Sequence, residues 1–565
     1  MILLKNRFFL FLLLLLLVFS GCRDESTVST LALSEEGTGT YTILTDKGGA
    51  GSFEYSQDLG TDTKDVYFVF SNSSASSSAS TPAVSSSNIG TTDPATLVAP
   101  PRKQIQTPRS FSRDLDIATQ FNANPPIPTR SANQSNLVVP DPVKASVGST
   151  NDFFNTSTSD TISSTLRTQV SDGTITVNIW VEDISWTSGC TRSACITQTM
   201  ADTFADTFLL TGSNNDIYDW VTNIYGVPWG SHSYSGSLIA ASAATTIDIL
   251  FYDIDADDSQ TGGVLGFSWS KDNYSTSAIS YSNERLIFYM DSVMTATETG
   301  TDWDITDTWP AEMVSTLAHE FQHMIHFYQK TVLATGFSSG SETWLNEMCS
   351  MSAEDLIASK LLNSGPRGVI YSDPTAGSSG MTGDRLAYYN YYNDYSLTNW
   401  LSGNYVLYSY GISYSFGAYL TRNFGGADLM QAIVQNEYTG TQAVTDGVAT
   451  AGYTQRDGSA HTMQSLLHGW AIAGLLSSGT SAASGYRYNT GGNFSSSIGS
   501  ITYVLGSINL FNYGTPYFYT PSTLGSEGAV QAYSNRFVKV ATNATGVFTR
   551  TVTVPSGVDL IVITK

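Results

Sequence analysis

The chain has 565 residues, a hydrophobic fraction of 41% and a formal net charge of −23, with a pI near 4.4. The length calls for two or more folded units, and the apolar content is enough to build a real core. The acidity argues against nucleic acid as a partner, because no basic stripe exists to neutralise phosphates.

The first elements are export signals. Lys5 and Arg7 form a basic n-region, Phe8 to Phe19 an unbroken apolar run, and Ser20 and Gly21 lead to Cys22. This reads as a signal peptide over residues 1–21, too short and wrongly flanked for a lasting membrane span. The ending "VFSGC" resembles a bacterial lipobox, with Phe19 where that pattern prefers leucine. The expectation is an exported lipoprotein, lipidated at Cys22 and held to the outer membrane or cell surface; the alternative is a plain signal peptide cut near Gly21. No later stretch reaches the ~18–20 apolar residues of a spanning helix.

Residues 22–70 read as a small β-rich segment, with "GTYTILTD" and the alternating "KDVYFVFSN" as strands. Residues 71–146 read as a flexible tether, because "SNSSASSSASTPAVSSSN" and "NANPPIPTR" bury too little apolar surface to offset the entropy of ordering. From 147 to 480 regular patterns return. "ISSTLRTQVSDGTITVNIWVED" predicts two strands around the turn "SDG", and "QTMADTFADTFLLTGSNNDIYDWVTNIYG" has helical spacing. "TTIDILFYDID" and "NERLIFYMDS" predict buried strands, followed by helices over 310–329 and 341–361. Further helices fall at "FGAYLTRNFG", "DLMQAIVQNE" and "MQSLLHGWAIAGLLSS", and residues 481–565 are β-rich. Cys190 and Cys195 are close enough for a disulfide, which export favours.

The chemistry concentrates in "STLAHEFQHMIHFYQK". His319 and His323 lie one helical turn apart, so both imidazoles emerge on one face about one metal ion apart. Glu320, at the edge of that face, can take a proton from metal-bound water without ligating. The chain holds only six histidines, so an H-E-x-x-H by chance is improbable. His326 sits one turn too far along for the same ion and reads as a supporting or packing histidine. Catalytic zinc needs a third protein ligand. Glu347 in "TWLNEMCSMSAED" follows His323 by 24 residues, room for a loop and a second helix whose Trp344, Leu345, Met348 and Met351 can pack on the first. Glu354, two turns on from Glu347, can reach the same region and support a ligand. In "DIDADDS", Asp253, Asp255 and Asp257 alternate like the start of a calcium loop, although position 264 is Val where such a loop has Glu, so an acidic turn competes with a Ca2+ site.

"WLNE" resembles the third-ligand helix of gluzincin metallopeptidases, in which the glutamate of an N-E pair completes a His2Glu zinc site. Together, "ILFYDID", "SNERLIFYMDS", "AHEFQHMIHFYQ" and "TWLNEMCSMSAEDL" resemble the hyicolysin-type family of secreted zinc metallopeptidases over residues 147–480. The resemblance implies an α+β fold with a gluzincin-like core: a sheet with an edge strand above the active-site helix, then a helical half, with β-rich flanks. It implies "NERLIFYMDS" as the strand that pairs with an extended peptide substrate. It also implies zinc on His319, His323 and Glu347, Glu320 as general base, and an oxyanion donor from the helical half. Counting back from Tyr419 as in a related aminopeptidase pattern selects Tyr410. The implied activity is a zinc metalloendopeptidase acting on proteins or peptides outside the cytoplasm, tied to the membrane through the lipid. The alternatives are a non-catalytic surface adhesin on the same fold, or an aminopeptidase, which lacks here a G-x-M-E-N type segment.

Overall fold

The computed structural model describes residues 30–35, 39–44, 51–85, 116–128, 145–155, 159–234, 236–371, 373, 377, 385–525 and 528–565. The signal region and Cys22 lie outside the described residues.

Strands β1 (Thr30–Glu35) and β2 (Gly39–Leu44) form an antiparallel pair, followed by β3 (Gly51–Asp58), β4 (Lys64–Asn72) and the short β5 (Ala83–Val84). Helix α1 (Asp116–Ala123) lies within the span expected as a tether. That span is not uniform: residues 71–85 join the strands just named, and Ala118 and Phe121 of α1 pack into an apolar cluster.

The next strands are β6 (Thr150–Phe154), β7 (Thr161–Ser171) and β8 (Thr176–Glu182), the last two joined by the tight turn read from "SDG". Helices α2 (Gln198–Phe208) and α3 (Ile217–Tyr225) follow, capped by Thr197 and Asp216, whose side-chain oxygens accept the exposed N–H of Met200 and Asp219. Then come β9 (Thr246–Tyr252), β10 (Gly266–Ser268) and β11 (Ile287–Asp291). These six strands make one sheet in the order β10-β11-β9-β8-β7-β6, with β11, β9 and β8 mutually parallel and the rest antiparallel. The period-2 alternation sorts its faces. Val177, Ile179, Ile247, Ile249 and Phe288 meet the helices, while Trp180, Leu250 and Tyr289 point to the other side.

One expectation is corrected here. The "NERLIFYMDS" strand is β11, which is enclosed between β9 and β10 and so is not an edge. The edge on that side of the sheet belongs to β10, from "GGVLGFSWS", whose glycines disguise a strand in sequence.

Helix α4 (Ser292–Ala296) leads to α5 (Thr308–His326), which continues as a wider π-helical stretch over 327–334, and to α6 (Thr343–Leu361). The helical half adds α7 (Arg385–Tyr391), α8 (Val406–Asn423), α9 (Ala427–Gln435), α10 (Thr441–Thr450) and α11 (Met463–Leu476). Helix α8 packs flush on α6 because position 417 is glycine: a Cβ there would lie 2.8 Å from Met348 Cγ and 2.9 Å from Ser352 Oγ. A buried ion pair, Arg422 to Asp355 at 2.8 Å, joins the same two helices.

The chain ends with β12 (Asn493–Ile498), β13 (Ile501–Gly506), β14 (Ser534–Ala544), β15 (Val547–Val554) and β16 (Val558–Thr564). The amino-terminal strands join them. Strand β4 is hydrogen-bonded between β16 and β14, and β3 pairs with β15. Val66, Phe68 and Phe70 of β4 face the β3–β15–β5 layer, while Tyr67 and Val69 face α11. Both faces of β4 are therefore buried, each large apolar side chain contributing roughly 1.5–3 kcal/mol. Among the described residues no helix is long and apolar enough to cross a membrane.

Candidate metal centre

Helix α5 runs between the sheet and α6, and residues 313–326 along it are all buried. Its i, i+4 geometry brings the His319 and His323 rings to 4.8 Å between centroids. Helix α6 supplies Glu347 from the facing side: its Oε2 lies 3.3 Å from His319 Nε2 and 3.8 Å from His323 Nε2. One ligand atom from each of the three residues lies within 4.8 Å of the others.

The donor set fits zinc. Tetrahedral bonds of about 2.1 Å place ligand atoms about 3.4 Å apart, close to the spacing found, and two imidazoles with one carboxylate leave a fourth position for water. The supporting contacts agree. Nδ1 of His319 is 2.7 Å from Glu354 Oε1, and Nδ1 of His323 is 3.1 Å from Asn346 Oδ1. Both partners are acceptors, so each Nδ1 carries the proton and each Nε2 turns its lone pair toward Glu347. Glu354 is in turn held by Ser315 Oγ, which donates to Oε2 at 2.5 Å. A carboxylate at position 354, seven residues past Glu347, thus does the orienting, where the sequence has Met351 one turn after Glu347.

Other residues singled out in the sequence fall as follows. Glu320 is fully buried on α5, and its Cγ would lie 3.1 Å from a Cβ at position 266, so Gly266 lets edge strand β10 pass directly over it. His326 Nε2 pairs with Ser341 Oγ at 2.9 Å, which ties the end of α5 to the loop before α6. Burial, with Lys330 and His323 nearby, holds His326 well below its usual pKa, so it stays neutral. Tyr410 is buried in α8 with the Arg385 guanidinium 4.9 Å over its ring and Trp400 edge-on at 5.0 Å. These contacts place it in the helical half. Cys349 is a buried free thiol whose pKa burial pushes up to about 12, which makes it unreactive. Cys190 and Cys195 form a disulfide.

Of the two readings of "DIDADDS", the calcium site gains no support from the structure. Asp253 pairs with Arg192 at 2.7 Å, and Arg192 also reaches Glu182, so an arginine from the disulfide loop supplies the positive charge there. Among the described residues, the only group with metal-holding geometry is His319, His323 and Glu347.

Asn346, Ser315 and Ser350 are the site residues that sequence reasoning missed. Asn346 belongs to the N-E pair itself, so its position beside the ligand was a usable signal. Ser315 was marked only by lying one turn before His319. Ser350 Oγ stands 3.1 Å from His319 Nε2 and donates to Glu347 O at 3.0 Å, a contact that depends on how the helices face each other.

A family model described as Peptidase M30 matches residues 156–565, which includes the β-rich end as well as the helical core. The chain is also similar to the neutral metalloprotease ShpI of Staphylococcus hyicus, at 29% identity over 208 residues, or 36% of this chain and 41% of that protein. The matched stretch thus spans about two-fifths of the relative's length.

Proposed function

The chain belongs to the peptidase M30 family, and from that premise we propose that it is a zinc-dependent endopeptidase acting on proteins or peptides outside the cytoplasm. The observation that carries the reading is the convergence of two oriented imidazoles and one carboxylate beside a buried glutamate, beneath the edge strand β10. In this proposal His319, His323 and Glu347 hold the ion. When bound, zinc polarises the scissile carbonyl and lowers the pKa of its water. Glu320 takes the proton of the attacking water on its carboxylate and delivers it to the leaving amine. Glu354 and Asn346 keep both ligating imidazoles in one tautomer. Tyr410, on the helix packed against α6, is our candidate donor to the developing oxyanion. The edge of β10 would take an extended peptide as an added strand. The Cys190–Cys195 disulfide supports an oxidising compartment, and the n-region, apolar run and Cys22 support export with a lipid anchor.

The test compares wild type with Glu320→Gln for zinc content and for cleavage of an unstructured protein such as casein. We expect both to bind zinc one to one and only wild type to cleave, with the variant at least about 100-fold slower. Zinc binding by both with cleavage by neither would instead favour a binding protein on a peptidase fold.

A further inference from the structure

The edge that the proposed function assigns to substrate is already partly occupied by the chain itself. Asp291 N–H donates to Leu265 O, and β10 pairs with β11 in the register 266 with 290, 267 with 289 and 268 with 288. Backbone groups along an antiparallel strand alternate, so positions 265 and 267 face β11 while 266 and 268 present N–H and C=O to the open side; the strand ends at Ser268, and Ser270 opens a 3-10 turn over Ser270–Asn273. Asn122, at the end of α1, sits on that open side. Its Nδ2 donates to Ser268 O at 2.6 Å, and its Oδ1 accepts from Ser270 N at 2.9 Å and from Ser270 Oγ at 2.7 Å. One carboxamide thereby supplies the donor and acceptor that a peptide unit of a paired strand would supply.

This contact is anchored on both sides. Phe121 packs edge-on against Trp269 and Tyr274, and Tyr274 Oη donates to Pro126 O at 2.7 Å. Residues 123–125 then pass so close to Gly340 that a Cβ there would collide with Ala123 O. Gly340 belongs to the loop that enters α6, the helix of Glu347. Residues 116–128 thus run from the outer side of β10 to the approach of the Glu347 helix. Gly266 lies over Glu320; at about 3.3 Å per residue, Ser268, the last residue of β10, lies roughly 7 Å further along the strand.

We propose that residues 116–128 form a strap that ends the substrate-pairing edge at Ser268, and that Asn122 is thereby a specificity-determining residue of the peptidase. The inference rests on the peptidase reading above and on β10 as its substrate strand. A bound peptide pairs with the outward groups of Gly266 and with Ser268 N–H, but Ser268 O and Ser270 N–H are taken by Asn122. Residues of the substrate beyond that point on one side of the scissile bond gain no ladder hydrogen bonds. The enzyme therefore reads a short extended segment and is indifferent to chain length past it. Asn122 touches no reacting atom; it acts by occupying the edge.

The experiment uses the zinc-loaded full chain, Asn122→Ala, and Asn122→Asp, which keeps the acceptor but loses the donor to Ser268 O. Peptides of one sequence are lengthened a residue at a time on either side of the cleaved bond, and kcat/KM is measured for each. For wild type the gain should stop after about two to three residues on one side. Asn122→Ala should keep gaining on that side, reaching at least about fivefold over wild type on the longest peptide, and Asn122→Asp, which still holds Ser270 N–H, should gain less, with the shortest peptide and the opposite side unchanged. Coincident length profiles, with the shortest peptide cleaved equally by all three, overturn the strap. Failure of zinc-loaded wild type to cleave any peptide overturns the peptidase reading instead. Hydrogen exchange then judges the contact by itself: the Ser270 amide should exchange at least about tenfold faster in Asn122→Ala with β11 unchanged, and equal rates overturn it.

Discussion

Exchanging Glu354 for glutamine keeps the side-chain volume and removes a charge that touches no metal. Its carboxylate accepts from His319 Nδ1 at 2.7 Å and from Ser315 Oγ at 2.5 Å, and the residue is 1% exposed. A charged acceptor makes a hydrogen bond roughly twice as strong as a neutral one and raises the basicity of the opposite ring nitrogen. Glutamine can keep one carbonyl on His319 only if its NH2 faces Ser315, whose hydroxyl must then turn to accept. The reverse orientation puts a donor against Nδ1 and moves the imidazole proton to Nε2, where a metal cannot bind. Loss of such an outer partner costs about 10–100-fold in metal affinity, or about 1.4–2.8 kcal/mol. We expect Glu354→Gln near the lower figure and Glu354→Ala near the upper, since alanine also strips Ser315 of its acceptor. Competition with a chromophoric zinc chelator at neutral pH measures both, with Glu347→Ala as the variant that loses a ligand outright. Dissociation constants within about threefold of wild type for both Glu354 variants, alongside a large loss for Glu347→Ala, would refute the assigned role.

Two further outcomes follow from packing and charge. Gly266→Ala places a Cβ 2.8 Å from Tyr289 O and 2.9 Å from Thr316 Cγ2, so strand or helix must shift; urea unfolding should show about 1–3 kcal/mol of destabilisation, and a change below about 0.5 would mean the edge strand is looser than described. Asp216 caps α3, and burial pushes its carboxyl from 3.8 up to about 6. The folded protein then holds that proton more tightly than the unfolded chain, so this group's contribution to stability is greatest below pH 3.8, falls as pH rises toward 6, and is level above it. Asp216→Asn retains an oxygen for the cap, so thermal melts across that window should show a shallower fall for the variant; parallel curves would sink the assignment.

The parts of the molecule legible in sequence are those governed by short-range geometry. Alternation in "KDVYFVFSN" and "TITVNIWVED" marks strands because side chains of a strand point to opposite faces in turn. His319 and His323 are legible as a pair because one helical turn suffices to bring them together. Glu347 required more: the spacing allows a second helix, but only a resemblance singled out that carboxylate among its neighbours. The β10 edge escaped notice because "GGVLGFSWS" has little strand character, its glycine at 266 being demanded by Glu320 and Tyr289 across space rather than by any local rule.

Local pattern also divided what folding joins. Residues 64–72 and 534–564 lie at opposite ends of the chain, each an ordinary strand signal, yet β4 is bonded on both sides by the carboxy-terminal strands. Nothing in either segment names its partner, since a strand's hydrogen-bonding groups are generic and register is chosen by which buried faces match. The same holds for Asn122, which in sequence is one polar residue of a proline-punctuated stretch. By itself the sequence determined most of the elements, the paired histidines and the adjacent glutamate, because each is encoded within a few residues. Tertiary structure decided that Glu354 rather than Met351 orients His319, that Arg192 pairs with Asp253, and that Asn122, distant in sequence, bonds to the end of the edge strand. Those outcomes depend on which surfaces meet, and side-chain chemistry in one dimension carries no distance across the fold.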